Sequence, residues 1–244
     1  RFWRETGLTV EDVTESGILI TATEGGYLDV IRYFVDEMGL TVEDIRASGA
    51  LYEAAWDGYL DIIRYFIEEM GLTVEDVRAI KAIQSAAWGG RLDVIRYFVE
   101  MGLTVEDVRV SEALRSAAER GRLEIVRYFV EMGLTVEDVR ASIALRLAAR
   151  NGHLDIIRYF IEEMGLTVED VRASEALQSA AERGHLDIIR YFFVEMGFTV
   201  EDVKASEALR LAAQGGRLDF IRYLVEMGFT VEDVKASEAL YSAA

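Results

Sequence analysis

One short string, Gly-Leu/Phe-Thr-Val-Glu-Asp, begins at Gly7, Gly39, Gly71, Gly102, Gly133, Gly165, Gly197 and Gly228, so the chain returns to the same local chemistry every 31 or 32 residues. A fixed period of that length marks a solenoid, in which each unit is too small to bury its own apolar face and is covered by its neighbours. Seven full intervals fill the 244 residues and leave no room for a second fold. The longer units carry one extra residue just before the glycine, as Glu68-Glu69-Met70 shows against Glu100-Met101.

The pattern inside one unit predicts three helical pieces. Ser111 is placed to cap a first helix through Glu112, Ala113, Leu114, Ala117 and Ala118, whose apolar positions form one stripe and which Gly121 ends. A second helix over Leu123 to Met132 buries Leu123, Val126, Phe129 and Val130, and leaves Glu124 and Arg127 outward at ion-pair spacing. Thr135 then caps a short third helix with Asp138 at its third position and Arg140 at its far end. No segment alternates with the period of two that a half-buried strand needs, so the chain is all-α.

These residues carry a resemblance. Ala148-Ala149, then Asn151-Gly152-His153-Leu154-Asp155-Ile156-Ile157, then Gly165 resembles the helical part of an ankyrin repeat, and the match recurs along the chain. The family's Thr-Pro-Leu-His turn is replaced by Ser142-Ile143-Ala144-Leu145-Arg146, the chain has no proline, and the unit is about two residues short of ankyrin's 33. The resemblance implies an ankyrin-like α-solenoid of about seven helical repeats, with a helical turn in place of the β-hairpin fingers. Its implied role is protein–protein interaction. Residues 1–244 read as a single array cut mid-repeat at both ends, since Arg1–Gly7 aligns with Arg96–Gly102 and Ala236–Ala244 is only a first helix. Such ends lack polar caps and are expected to fray or to associate end to end.

Composition narrows the function classes. A net charge of −18 repels nucleic acid and anionic lipid, no apolar run reaches the length that spans a bilayer, and the chain has no cysteine for a disulfide or a thiolate metal site. An intracellular, cytoplasmic setting is the default expectation. The two histidines, His153 and His185, occupy the same place in neighbouring units, where stacked helices stand about 8–10 Å apart, too far to share a metal whose bonds to nitrogen are about 2 Å. The repeated Glu-Asp pairs sit at helix starts, where carboxylates favour the dipole, and so read as caps instead of acid/base pairs or calcium ligands. No catalytic residue, cofactor or metal is expected.

What differs between units is the outward stripe of the first helix. It reads Ile20, Glu24, Tyr27; Tyr52, Trp56, Tyr59; Gln84, Trp88, Arg91; Arg115, Glu119, Arg122; Arg146, Arg150, His153; Gln178, Glu182, His185; Arg210, Gln214, Arg217. The ridge passes from aromatic to basic, with seven arginines against three glutamates on an otherwise acidic chain. Trp, Tyr and Arg are the residue types enriched at interface hot spots. Tyr52, Trp56, Tyr59, Gln84, Trp88, Arg91, Arg115, Glu119, Arg146, Arg150 and Arg210 are therefore the expected contact residues for a protein or peptide partner, with acidic groups opposite the arginines. The competing expectation is a structural or engineered scaffold with no natural ligand.

Overall fold

The computed structural model describes residues 9–230 and 232–233. The sequence expectations for Trp3, taken as core, and for the terminal Ala239, Leu240 and Ala243 lie outside the described residues. Every described element is helical. The chain divides into two compact units, one ending at Ser116 and one starting at Ala117, and both stack the same three pieces.

The short third helix owes its start to the Thr-Val-Glu-Asp string. In Val42–Ser48 the Thr41 amide donates to Asp44 Oδ2 at 2.7 Å and the Asp44 amide donates back to Thr41 Oγ1 at 3.3 Å, a reciprocal box that satisfies two of the amides a helix start leaves orphaned. The same box opens Val10–Glu15, Val74–Ala79, Val105–Val110, Val136–Ala141, Val168–Ala173 and Val200–Lys204. First helices follow, at Ala50–Asp57 and Ala82–Gly89 in the first unit and Ala144–Asn151, Ala176–Arg183 and Ala208–Gln214 in the second. Their alanines, such as Ala54, Ala86, Ala148 and Ala180, are wholly buried, and these small side chains let successive first helices pack against one another.

The helix predicted from Glu112 starts later, at Ala113. Glu112 takes a left-handed backbone, φ 60°, as do Gly49, Lys81 and Glu175 at the same place, and Ser111 donates back to the Val108 carbonyl at 3.3 Å. Ser111 thus closes a turn, while the matching Ser48, Ser142, Ser174 and Ser206 also accept from the first amide of the helix that follows, as the expected cap does. Ile143 and Glu207, at the same place, depart from that conformation, at φ −93° and −84°; at Ile143, where Ser142 is extended, a β-branched side chain disfavours the left-handed region.

Second helices supply one large core residue per repeat. Phe66, Phe98, Phe129, Phe160, Phe192 and Phe220 are each fully buried. In Leu123–Glu131 the buried set is Ile125, Val126 and Phe129, so Val126 and Phe129 are core as expected, whereas Leu123 and Val130 are half-buried and Ile125 takes a core place the pattern missed. The predicted Glu124–Arg127 pair is present at 3.6 Å. In two of the four longer units the second helix stays α-helical, over Leu28–Asp36 and Leu186–Val194, and the extra residue falls after it; in the other two it is taken up inside the second helix, which widens into a π turn at Tyr65–Glu69 and Tyr159–Glu163. This keeps Leu72 hydrogen-bonded to the Phe66 carbonyl, as Leu103 is to Phe98 in a shorter unit, so the core register survives the insertion.

Side-chain ladders tie each repeat to the next. The guanidinium of Arg46 reaches Asp76 at 2.7 Å and Arg78 reaches Asp107 at 2.8 Å in the first unit; Arg140–Asp170 and Arg172–Asp202 repeat the link in the second, at 2.9 and 2.7 Å. On the second helices, arginines lie over the tyrosine ring of the following repeat, as Arg32 over Tyr65 and Arg158 over Tyr191, both 5.1 Å from the ring centre.

Candidate interaction surface

The first-helix ridge is built by elimination. In Ala50–Asp57 the residues Ala50, Leu51, Ala54 and Ala55 are buried, and the helical period then leaves Tyr52, Glu53, Trp56 and Asp57 on the open arc. Tyr52 and Trp56 bring their rings to 6.4 Å, and Trp56 meets Trp88 of the next repeat at 5.7 Å with planes 31° apart. All three side chains are half-buried, so the stack presents a continuous apolar surface that water still reaches.

The third position of five of the seven ridge triplets has a second task. A helix leaves its last carbonyls without intrahelical partners, and here the following repeat supplies them: Tyr59 Oη donates to the Glu24 carbonyl at 3.2 Å, and Arg91 Nε donates to the Trp56 carbonyl at 3.0 Å. In the second unit His153 Nε2 meets the Glu119 carbonyl at 3.0 Å, His185 Nε2 meets that of Arg150 at 2.9 Å, and Arg217 Nε meets that of Glu182 at 2.8 Å. A carbonyl oxygen only accepts, so both histidines carry a proton on Nε2. Among the described residues no group of His, Cys, Asp or Glu is placed to hold a metal ion. Where the staple forms, the glycine ending the first helix makes room for it: a Cβ on Gly58 would lie 2.7 Å from Arg91 Cδ, and one on Gly121 2.6 Å from His153 Nδ1.

Several ridge arginines are paired. Arg115 meets Glu112 at 3.1 Å, Arg146 meets Glu175 of the next repeat at 3.3 Å, and Arg210 pairs with Glu207 and hydrogen-bonds Gln214. Arg150 is exposed, while Gln84 and Glu119 are half-buried. Beside Arg146 a groove of about 450 Å³ opens over Val139, Ile143, Leu145 and Leu166, against about 180 Å³ and 220 Å³ for the corresponding grooves at Gly49 and Lys81. The altered backbone at Ile143 accompanies the widening.

Sequence reasoning passed over Glu53. Other repeats place Ser85, Ser116, Leu147 or Ser179 there and bury it, and Ser85 Oγ donates to the Tyr52 carbonyl at 2.8 Å. Glu53 puts a carboxylate in this half-buried place, and its pKa is raised, first by burial and then by the charges of Glu24 and Asp57. The signal was legible as the one carboxylate breaking a serine or leucine column.

Residues 51–141, 81–171 and 114–203 each match the family model described as ankyrin repeats in three copies. No curated protein matches the chain. No helix among the described residues is long and apolar enough to cross a membrane.

Proposed function

We propose, from the premise that this chain belongs to the ankyrin-repeat family, that it is a non-catalytic scaffold capturing a protein segment on its first-helix ridge. Ankyrin repeats are in general protein–protein interaction modules, and the family is a non-enzymatic one. The observation that carries the finer reading is the half-exposed Trp56–Trp88 pair, standing where the repeats differ from one another. Positions that fix the fold recur in every unit; a paired tryptophan surface that occurs in two of them answers to something outside the fold. In the first unit Tyr52, Trp56 and Trp88 provide the anchor, with Tyr59, Gln84 and Arg91 at its border. In the second unit Arg146, Arg150 and Arg210 offer positive charge to acidic groups, with Glu119 beside them.

Binders selected from a peptide library on the intact chain test this reading. Trp56→Ala and Trp88→Ala should each weaken binding by about 2 kcal/mol or more, mainly through faster dissociation. Arg146→Glu with Arg150→Glu should slow association and flatten its salt dependence. Normal binding by all of these variants would end the proposal. The second reading, a structural scaffold without a ligand, is favoured by the staples and ion pairs that already engage Tyr59, Arg91, Arg115, Arg146 and Arg210. A library that yields no ridge-dependent binder would support it.

A further inference from the structure

We propose that the ridge of the first unit receives a cationic side chain, an arginine or lysine of the partner, between the Trp56–Trp88 pair and the carboxylates of Glu53, Glu24 and Asp57. This rests on the ridge reading above and names the chemistry of its partner.

The argument starts from placement. On the open arc of Ala50–Asp57, Trp56 lies between Tyr52 on one side and Glu53 on the other, so an aromatic face and a carboxylate border the same spot. Asp57 follows Glu53 by one helical turn, and Glu24 is the residue of the preceding repeat that corresponds to Trp56. Like charges one turn apart repel, and a half-buried site weakens the screening of that repulsion. Elsewhere the chain neutralises such carboxylates: Glu112 has Arg115, Glu175 has Arg146, and Glu69 has Arg32. Among the ion pairs of the described residues, none includes Glu24, Glu53 or Asp57. The nearest ridge cation, Arg91, turns its Nε to the Trp56 carbonyl. The raised pKa of Glu53 agrees with the crowding.

A cation entering here would meet three uncompensated negative charges and the indole of Trp56, which Trp88 backs from the following repeat, the combination that holds guanidinium and ammonium groups. An acidic side chain would add a fourth negative charge to the same place. Charge complementarity therefore commits the first unit to a basic peptide.

Blocked, fluorescein-labelled Gly-Arg-Gly-Arg-Gly-Arg and its glutamate counterpart, titrated against the full chain by fluorescence anisotropy, provide the test. The arginine peptide should bind and the glutamate peptide should not bind the first unit. Glu53→Gln and Trp56→Ala should each weaken the arginine peptide about tenfold. Glu226→Gln, which removes one exposed carboxylate in the second unit, should change it less than about twofold, since a single exposed charge that is not part of the site is largely screened. Equal losses from Glu53→Gln and Glu226→Gln would reduce the effect to general attraction by an acidic chain and overturn the proposal, as would failure of the arginine peptide to bind. Thermal melts guard the interpretation, because Glu53→Gln relieves repulsion and should raise the melting temperature. An uncharged aromatic peptide that is lost in Trp88→Ala but retained in Glu53→Gln would overturn the cation site while leaving the ridge reading standing. Indifference of every peptide to Trp56→Ala and Trp88→Ala would sink both.

Discussion

Asp170 makes two kinds of contact with one carboxylate. It accepts from the Thr167 amide and hydroxyl, both at 2.8 Å, and from the Arg140 guanidinium of the preceding repeat at 2.9 and 3.0 Å. The Arg140 hydrogen bond and then the Thr167 amide hold its pKa down from 3.8 to about 2. A carboxylate whose folded pKa lies below its unfolded value stabilises the fold at neutral pH and loses that contribution as pH falls from about 4 through 2. Asp170→Asn should therefore lower stability at pH 7 by about 1–2 kcal/mol, the scale of a lost cap, and remove part of the acid-induced loss in that window. Circular dichroism against pH for both chains checks this. Tyr97 shows the opposite sign: burial first, and then the hydrogen bond from its hydroxyl to Glu68 at 3.0 Å, push its pKa up to about 12. Its contribution is present below pH 10 and fades as pH rises toward 12. Glu68→Ala should bring the value down while leaving it above the ordinary 10, because burial remains, and ultraviolet titration of the phenolate reads the difference.

At the scale of elements, glycine has two separate uses. Gly39 ends a second helix at φ +87° with open space where a Cβ would stand, so Gly39→Ala costs only the left-handed strain, about 1–2 kcal/mol. Gly89 lies within a first helix, where alanine is intrinsically better by about 1 kcal/mol, yet a Cβ there would land on the backbone carbonyl oxygen of Trp56. Backbone cannot step aside as a side-chain tip can, so overpacking of about 1–3 kcal/mol outweighs the propensity gain. Chemical denaturation should find Gly89→Ala destabilised, and a neutral or stabilised variant would show that the first helices pack more loosely than described. The π turns belong to this scale too. In two of the four longer units the thirty-second residue widens one helical turn, and those turns carry Glu68 and Glu162, to which the next repeat's Tyr97 and Tyr191 donate.

For the molecule as a whole, stability in an array is the sum of repeat and neighbour terms, so damage stays local. Leu145 is 3% exposed in the second unit, and Leu145→Ala should cost about 2–5 kcal/mol by leaving a cavity. Hydrogen exchange should then rise across residues 143–160 while the repeats of the first unit keep their protection. Uniform loss along the chain would replace the nearest-neighbour description with a single cooperative one.

The sequence by itself determined the period, the helical class, the capping boxes, the alanine stripe and the matching ridge positions of Trp56 and Trp88, because each depends on contacts within a few residues or on exact repetition of one unit. Tertiary structure alone decided what the side chains do across repeats. Arg140 was legible as a helix-end cation, but its link to Asp170 joins residues thirty positions apart and needs the stacking geometry. The ridge column of Tyr59, Arg91, His153, His185 and Arg217 looked free to vary, and it does vary in chemistry; each of them nonetheless brings one donor to an orphan carbonyl of the preceding first helix. Glu53 passed as an ordinary polar residue for the same reason, since a helical pattern tells which arc a residue occupies and leaves to the fold which charges it will meet there.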